Sequence, residues 1–334
     1  MKKLLFTCVF FIFILFSLLY PAQIIDASKQ GILIWFEQIL PALLPFTILS
    51  TLLLKSNLLK SFSTGENILA IGITMCCGFA FGFPIGAKLA SDFYRNNLLS
   101  EKQATILSVT SNNFSPMYVG GFVLPALFSI ENISENIFSK TFVSTTYILL
   151  YFIPLCFAAI LLILDTMSHS AYKIQKTNFG TQKTTPIINF PNTDTLHSME
   201  DKKFQFNLSL FDSSIINGFQ TLIKLCGYIV LFSILVKITM ILFQEPPFYF
   251  RVILENFEIT NGIQLLANEK FSFKQTYILA IQILSFGGLS GIAQTNSVFA
   301  DSGLSIYKYI IGKVTLSLLL TLLSIVYVLY FIHF

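Results

Sequence analysis

Charge is what this chain is short of. Only 11% of its 334 residues are Asp, Glu, Lys or Arg, less than half of the roughly 25% that soluble domains carry. With 54% of residues hydrophobic and a mean hydropathy of +0.73, a surface facing water on all sides is excluded. The lipid bilayer is the partner that composition demands. Histidine is almost missing: His169 and His197 fall in a polar stretch, and His333 stands at the last turn of the final apolar run. No Ser–His, Cys–His or H-E-x-x-H pattern can be built from them, and no Walker loop is present. The chain is therefore expected to be neither an enzyme nor an ATP-driven pump. Cys8, Cys76, Cys77, Cys156 and Cys226 show no ligand spacing and read as small apolar side chains, so no metal or other cofactor is expected. Basic residues exceed acidic ones only by 21 to 17, and no Lys/Arg cluster alternates with aromatics. That excludes nucleic acid as a partner.

What the chain has is long apolar runs. About 20 apolar residues are needed to cross the hydrocarbon core as a helix. Uncharged runs of that order lie at 4–25, 67–87, 103–130, 141–164, 275–300 and 314–334. Two more, 30–54 and 213–244, carry isolated charges (Glu37; Lys224 and Lys237), and 251–268 is shorter and amphipathic. The fold class that follows is an all-α polytopic membrane protein. Residues 1–25 read as an uncleaved first transmembrane helix, because the run is longer than a signal-peptide core and Tyr20-Pro21-Ala22-Gln23 is a poor cleavage site. Residues 165–210, with His169, Lys173, Lys176, Lys183, Asp194, His197, Lys202 and Lys203 among Thr, Asn and Pro, read as a polar, solvated linker.

The linker separates two halves, 26–164 and 211–334, that share an order of motifs. Asp26-Ala27-Ser28 followed by Pro45-Phe46-Thr47-Ile48-Leu49 is matched by Asp212-Ser213-Ser214 followed by Leu231-Phe232-Ser233-Ile234-Leu235. Phe81-Gly82-Phe83-Pro84-Ile85-Gly86 is matched by Phe286-Gly287-Gly288-Leu289-Ser290-Gly291, and Leu99-Ser100 by Leu304-Ser305. With the N-terminus inside, the inner loops collect Lys2, Lys3, Lys55, Lys60, Arg95, Lys102 and the linker lysines, as cytoplasmic loops do. In that arrangement the two halves are inverted repeats with glycine-broken re-entrant hairpins, a recurring plan of secondary transporters.

The candidate substrate-binding residues cluster at the polar breaks. Gly82, Pro84 and Gly86 interrupt a helix at membrane depth, where unwound backbone must be buried in protein or line a wet cavity. A helix restarting near Ile85 would aim free amides into that cavity, with Lys88 one turn in, and both favour an anion. Two readings stand for Lys88: an anion contact, or a lysine snorkelling beside a packed kink. Asp92, four residues on, is its alternative mate. Gly287, Gly288 and Ser290 form the second break, followed by Gln294, Thr295, Asn296 and Ser297 as neutral hydrogen-bonding groups. Asn112, Asn113 and Ser115, with Pro116, interrupt the run 103–130 and are expected to turn to a polar cavity. Glu258, Thr260 and Asn261 complete the set. Either they bind a substrate amide or hydroxyl, a sodium ion or a proton, or they belong to an interfacial helix with a solvated glutamate.

At Gly82-Phe83-Pro84-Ile85-Gly86-Ala87-Lys88, Leu98 to Lys102 and Asn112-Asn113-Phe114-Ser115-Pro116, the chain resembles the sporulation integral membrane protein YlbJ family. Glu258-Ile259-Thr260-Asn261-Gly262 and Phe286-Gly287-Gly288 are similar to that family's second half. The resemblance implies a gate-type, nucleoside-recognition-like fold related to concentrative nucleoside transporters. It implies a place in the bacterial cell membrane, or in a membrane of the sporulating cell, and dipicolinate as the transported anion. The expected function is thus a secondary transporter of a small organic anion, coupled to Na+, to H+ or to neither. The alternatives are a transporter of nucleosides or other small solutes, and a non-transporting sporulation scaffold. The second break lacks the proline of the first, which leaves the solute open.

Overall fold

The computed structural model describes residues 2–55, 66–128, 137–178, 208–243, 248–268, 271–300 and 302–331, and among them it is built of helices. The first half holds α1 (Lys2–Leu19), α2 (Pro21–Ile34), α3 (Leu40–Lys55), α4 (Glu66–Phe81), α5 (Ile85–Arg95), α6 (Glu101–Ser111), α7 (Pro116–Tyr118), α8 (Leu124–Phe128), α9 (Ile137–Tyr147) and α10 (Ile153–Asn178). The second holds α11 (Leu208–Leu242), α12 (Phe248–Glu255), α13 (Ile259–Asn268), α14 (Phe273–Phe286), α15 (Gly288–Phe299) and α16 (Ile306–Phe331). Wider π-helical turns, Trp35–Ile39, Val119–Val123 and Ile148–Phe152, join α2 to α3, α7 to α8 and α9 to α10. Among the described residues, four helical stretches are long and apolar enough to cross a membrane, Lys140–Met167, Leu208–Leu242, Phe273–Phe299 and Ile306–Tyr330, and the bent pair Phe10–Leu19 with Pro21–Glu37 makes a fifth if taken as one span. Their outward faces carry large exposed apolar residues, such as Ile311, Leu318, Leu322 and Leu329 on α16, which suits contact with lipid.

The element boundaries depart from the sequence reading in three places. The first helix stops at Leu19, because Pro21 cannot donate to the preceding turn. The chain bends by 108° between Phe10–Leu19 and Pro21–Glu37, and α2 runs unbroken through the expected boundary at residues 25 and 26. The amphipathic stretch 251–268 is two helices, α12 and α13, with Asn256, Phe257 and Glu258 between them. The expected linker is entered from both ends by helix, since α10 continues to Asn178 and α11 begins at Leu208. Its remainder, 179–207, lies outside the described residues.

The breaks that position the site have local causes. Gly82 takes φ +76°, which releases the chain from α4, and Pro84 stands at the start of α5 with Ile85 N–H donating to Gly82 O at 2.9 Å. Across this turn α4 and α5 pack against each other. Gly287 ends α14 at φ +89°, and α15 restarts at the next residue to pack on α5, α11 and α16. The helices around the breaks start on reciprocal caps. Ser100 Oγ accepts from Gln103 N at 3.1 Å while Gln103 Oε1 accepts from Ser100 N at 3.0 Å, and Ser272 and Gln275 do the same for α14.

Candidate functional site

Asn112 is the crossroads of the interior. Its Oδ1 accepts from Ala87 N of α5 at 3.4 Å, and its Nδ2 donates to Thr295 Oγ1 of α15 at 3.3 Å and to the Tyr309 hydroxyl of α16 at 3.0 Å. One side chain therefore ties both expected breaks together. The approach depends on small residues: an ideal Cβ on Gly86 would stand 2.6 Å from Ser111 O, and one on Gly78 2.7 Å from the same atom. Gly82 is likewise closed in by the Ser115 backbone. Gly291 faces the Phe83 ring of the first break, 3.6 Å from an ideal Cβ, and Ser91 Oγ donates to Val298 O at 3.2 Å, pinning α5 to α15.

Unwinding at 112–115 frees carbonyls that cannot be left unpaired in a membrane interior. Three carbonyls of this segment find side-chain donors from elsewhere in the chain. Lys313 Nζ donates to Asn112 O at 2.8 Å, Tyr151 to Phe114 O at 2.8 Å and Tyr147 to Pro116 O at 3.2 Å. Asn113 is spent in the same way: its Nδ2 donates to Thr110 O and Leu150 O, and its Oδ1 accepts from Lys313 at 3.0 Å. The structure thus turns Asn112 and Asn113 into protein rather than toward a cavity. It also occupies several of the amides expected to await an anion. Ala87 N is held by Asn112, Lys88 N by Pro84 O, and at the second break Leu289 N and Ser290 N donate to Asn256 O and Phe257 O at 2.8 and 2.9 Å.

Between the two helix breaks lies a cavity walled by both. Phe83 and Ser115 reach it from the first half; Gly287, Ser290, Gly291 and Gln294 from the second; Glu258, Ile259 and Thr260 from the α12–α13 junction. Phe83, Phe114 and Tyr118 form a run of rings along one wall, with centroids 6.1 and 5.2 Å apart. Glu258 is 5% exposed, which overturns the solvated-glutamate reading. Its carboxylate accepts from Thr260 N at 3.1 Å and Asn261 N at 2.9 Å, capping α13. The Tyr118 and Thr260 hydroxyls bond at 3.2 Å. Gln294 donates through Nε2 to Ser290 Oγ at 3.0 Å, while its buried Oε1 has no hydrogen-bond partner among the described residues.

A second cavity adjoins the first, with Gln294 and Leu225 in the walls of both. Pro84, Lys88, Asp92, Lys224, Tyr228 and Ser297 also line it. Of the expected site residues, Ser115, Glu258, Thr260, Gly287 and Ser290 therefore meet at the first cavity, and Pro84 and Lys88 stand at the second. Gly82, Gly86 and Gly288 serve close packing, and Asn261 turns to another groove with its Nδ2 donating to Ser233 Oγ at 2.7 Å. Sequence reasoning missed Tyr118, the ring wall, and the tyrosines and lysine that satisfy the unwound backbone. Lys313 had one signal, a charge more than two turns inside a helix that begins after Ser305.

These helices and the enclosed junction between them define an all-α polytopic integral membrane protein. A sporulation membrane protein is similar to it along most of its length. The chain is 25% identical to the sporulation integral membrane protein YlbJ of Bacillus subtilis (strain 168), over 91% of this chain and 78% of that protein. The similarity runs along most of both chains. No family model matches the chain, and no solved structure matches it.

Proposed function

We propose that the chain is a secondary transporter of a small organic solute, bound where the two helix breaks meet. The observation that carries this reading is the shared cavity. Both breaks wall it, and Gln294 Oε1, a buried acceptor with no partner among the described residues, stands at its boundary with the second cavity. Leaving a buried acceptor unpaired costs about 1–3 kcal/mol, and a solute donor would remove that cost. The two halves act as inverted repeats, with the hairpin α4–α5 and the broken pair α14–α15 as their matched elements. The matched capped starts of α6 and α16 support this.

The preferred solute is an organic anion. An aromatic ring would lie on Phe83, Phe114 and Tyr118, with a carboxylate directed to Lys88 and Lys224 in the adjoining cavity. The relative's name places that protein in sporulation. We extend this to the present chain, in a membrane of the sporulating cell, with dipicolinate as the first candidate. Glu258 favours a second reading, a neutral nucleoside-like solute that brings hydrogen-bond donors, because no Lys, Arg or His is among the described residues of the first cavity. Uptake of dipicolinate and of nucleosides into proteoliposomes tests both readings. Gln294→Leu should weaken uptake of the true solute by roughly three- to tenfold, the worth of one ordinary hydrogen bond. Uptake of neither solute by the unaltered protein would favour a scaffold.

A further inference from the structure

Lys313 lies about two turns into α16 and is 0% exposed. Its Nζ donates to Asn112 O and to Asn113 Oδ1, both at the α6 break. Around it, α16 packs on α6, α14, α15 and the Ile148–Phe152 turn. The acidic residue on those elements is Glu101, which pairs with Lys308 near the start of α16. Lys102, beside it, pairs with Asp165, and Lys274 stands at the start of α14. Among the described residues, then, the ammonium of Lys313 is met by two oxygens of neutral groups and by no carboxylate.

An uncompensated charge in a protein interior is expensive, and leucine or methionine would fill the space without that expense. Unwound backbone oxygens at membrane depth are the chemistry that holds monovalent cations in transporters. We propose that the Lys313 ammonium is a tethered cation for the α6 break, standing where a free monovalent ion would otherwise be held. Lys313 is thus a positioning residue. It keeps Asn112 aimed at α5, α15 and α16, and it removes the need for sodium or potassium at this place. The inference is independent of which solute, if any, the protein carries.

The test is thermal unfolding of the full-length protein in detergent, in sodium, potassium and choline chlorides at equal ionic strength. The expected result for the unaltered protein is one midpoint in all three salts. A midpoint raised by sodium or potassium over choline would overturn the proposal. Lys313→Ala should unfold several degrees lower and be partly restored by propylammonium chloride, but not by propanol. Equal restoration by propanol would mean that Lys313 only fills space. As a second pair, Lys313→Arg should retain more stability than Lys313→Met, and the reverse order would overturn the proposal. Where none of these variants folds, the salt comparison on the unaltered protein decides alone.

Discussion

Gly86→Val should lower the melting midpoint of the purified protein by several degrees, while Gly72→Ala leaves it unchanged or slightly raised. An ideal Cβ at Gly86 would lie 2.6 Å from Ser111 O and 2.7 Å from Ser111 C. Both are backbone atoms, which cannot rotate away as a side chain can. Valine adds two further carbons, so the penalty falls at the upper end of the ~1–3 kcal/mol typical of overpacking. The displaced segment is the end of α6, directly before Asn112, so the links to Ala87, Thr295 and Tyr309 should loosen with it. Gly72 stands on α4 with nothing within 4 Å of an added Cβ. There alanine brings only its better helix propensity, about 0.5–1 kcal/mol. Equal midpoints for Gly86→Val and the unaltered protein would mean that α5 and α6 do not meet as described.

The breaks themselves were legible in the sequence, because glycine, proline and asparagine at membrane depth have few other uses. Gly82, Pro84, Asn112 and Gly287 all mark interruptions of helix. Legible too, though unused, were Ser100-x-x-Gln103 and Ser272-x-x-Gln275, which set the starts of α6 and α14. Partners were not legible. The amides at the start of α5 and α15 look free when each helix is read alone. Ala87 N, Leu289 N and Ser290 N are taken by Asn112 and by the carbonyls of Asn256 and Phe257, which the chain delivers from other helices. Tyr147, Tyr151 and Lys313 fall in the same class. A tyrosine in an apolar run carries no sign that its hydroxyl will meet a carbonyl on another helix. The first helix was overextended because an unbroken apolar run hides a proline that ends it, and Pro21 turns the chain where hydropathy shows nothing.

Lys88→Gln should weaken uptake of an anionic solute by roughly tenfold to more than a hundredfold, with insertion and expression unchanged. Lys88 lines the second cavity with Lys224, Asp92 and Gln294, half-buried on the second turn of α5. Glutamine keeps most of the length and a donor but removes the charge. The loss is that of one charge-assisted hydrogen bond, about 1.5–3 kcal/mol. Because Ile85 N, Ala87 N and Lys88 N at the start of α5 are already occupied, the contact falls mainly to the lysine rather than to the helix terminus. Asp92→Asn separates this role from a structural one. If Lys88 serves the solute, removing the neighbouring carboxylate should leave uptake near normal or strengthen it, since a competitor for the lysine is gone. If the two instead form an internal pair, Asp92→Asn should reproduce the defect, and the anion contact is then refuted. Glu258→Gln completes the comparison at the first cavity. A nucleoside-like solute predicts that Lys88→Gln transports normally while Glu258→Gln loses uptake, because the carboxylate would then be the group that receives the solute's donors. An anionic solute predicts the opposite order, since neutralising Glu258 removes a repulsive charge from the cavity wall. Uptake measured for these three variants with dipicolinate and with a nucleoside therefore assigns the solute by the order of the defects alone.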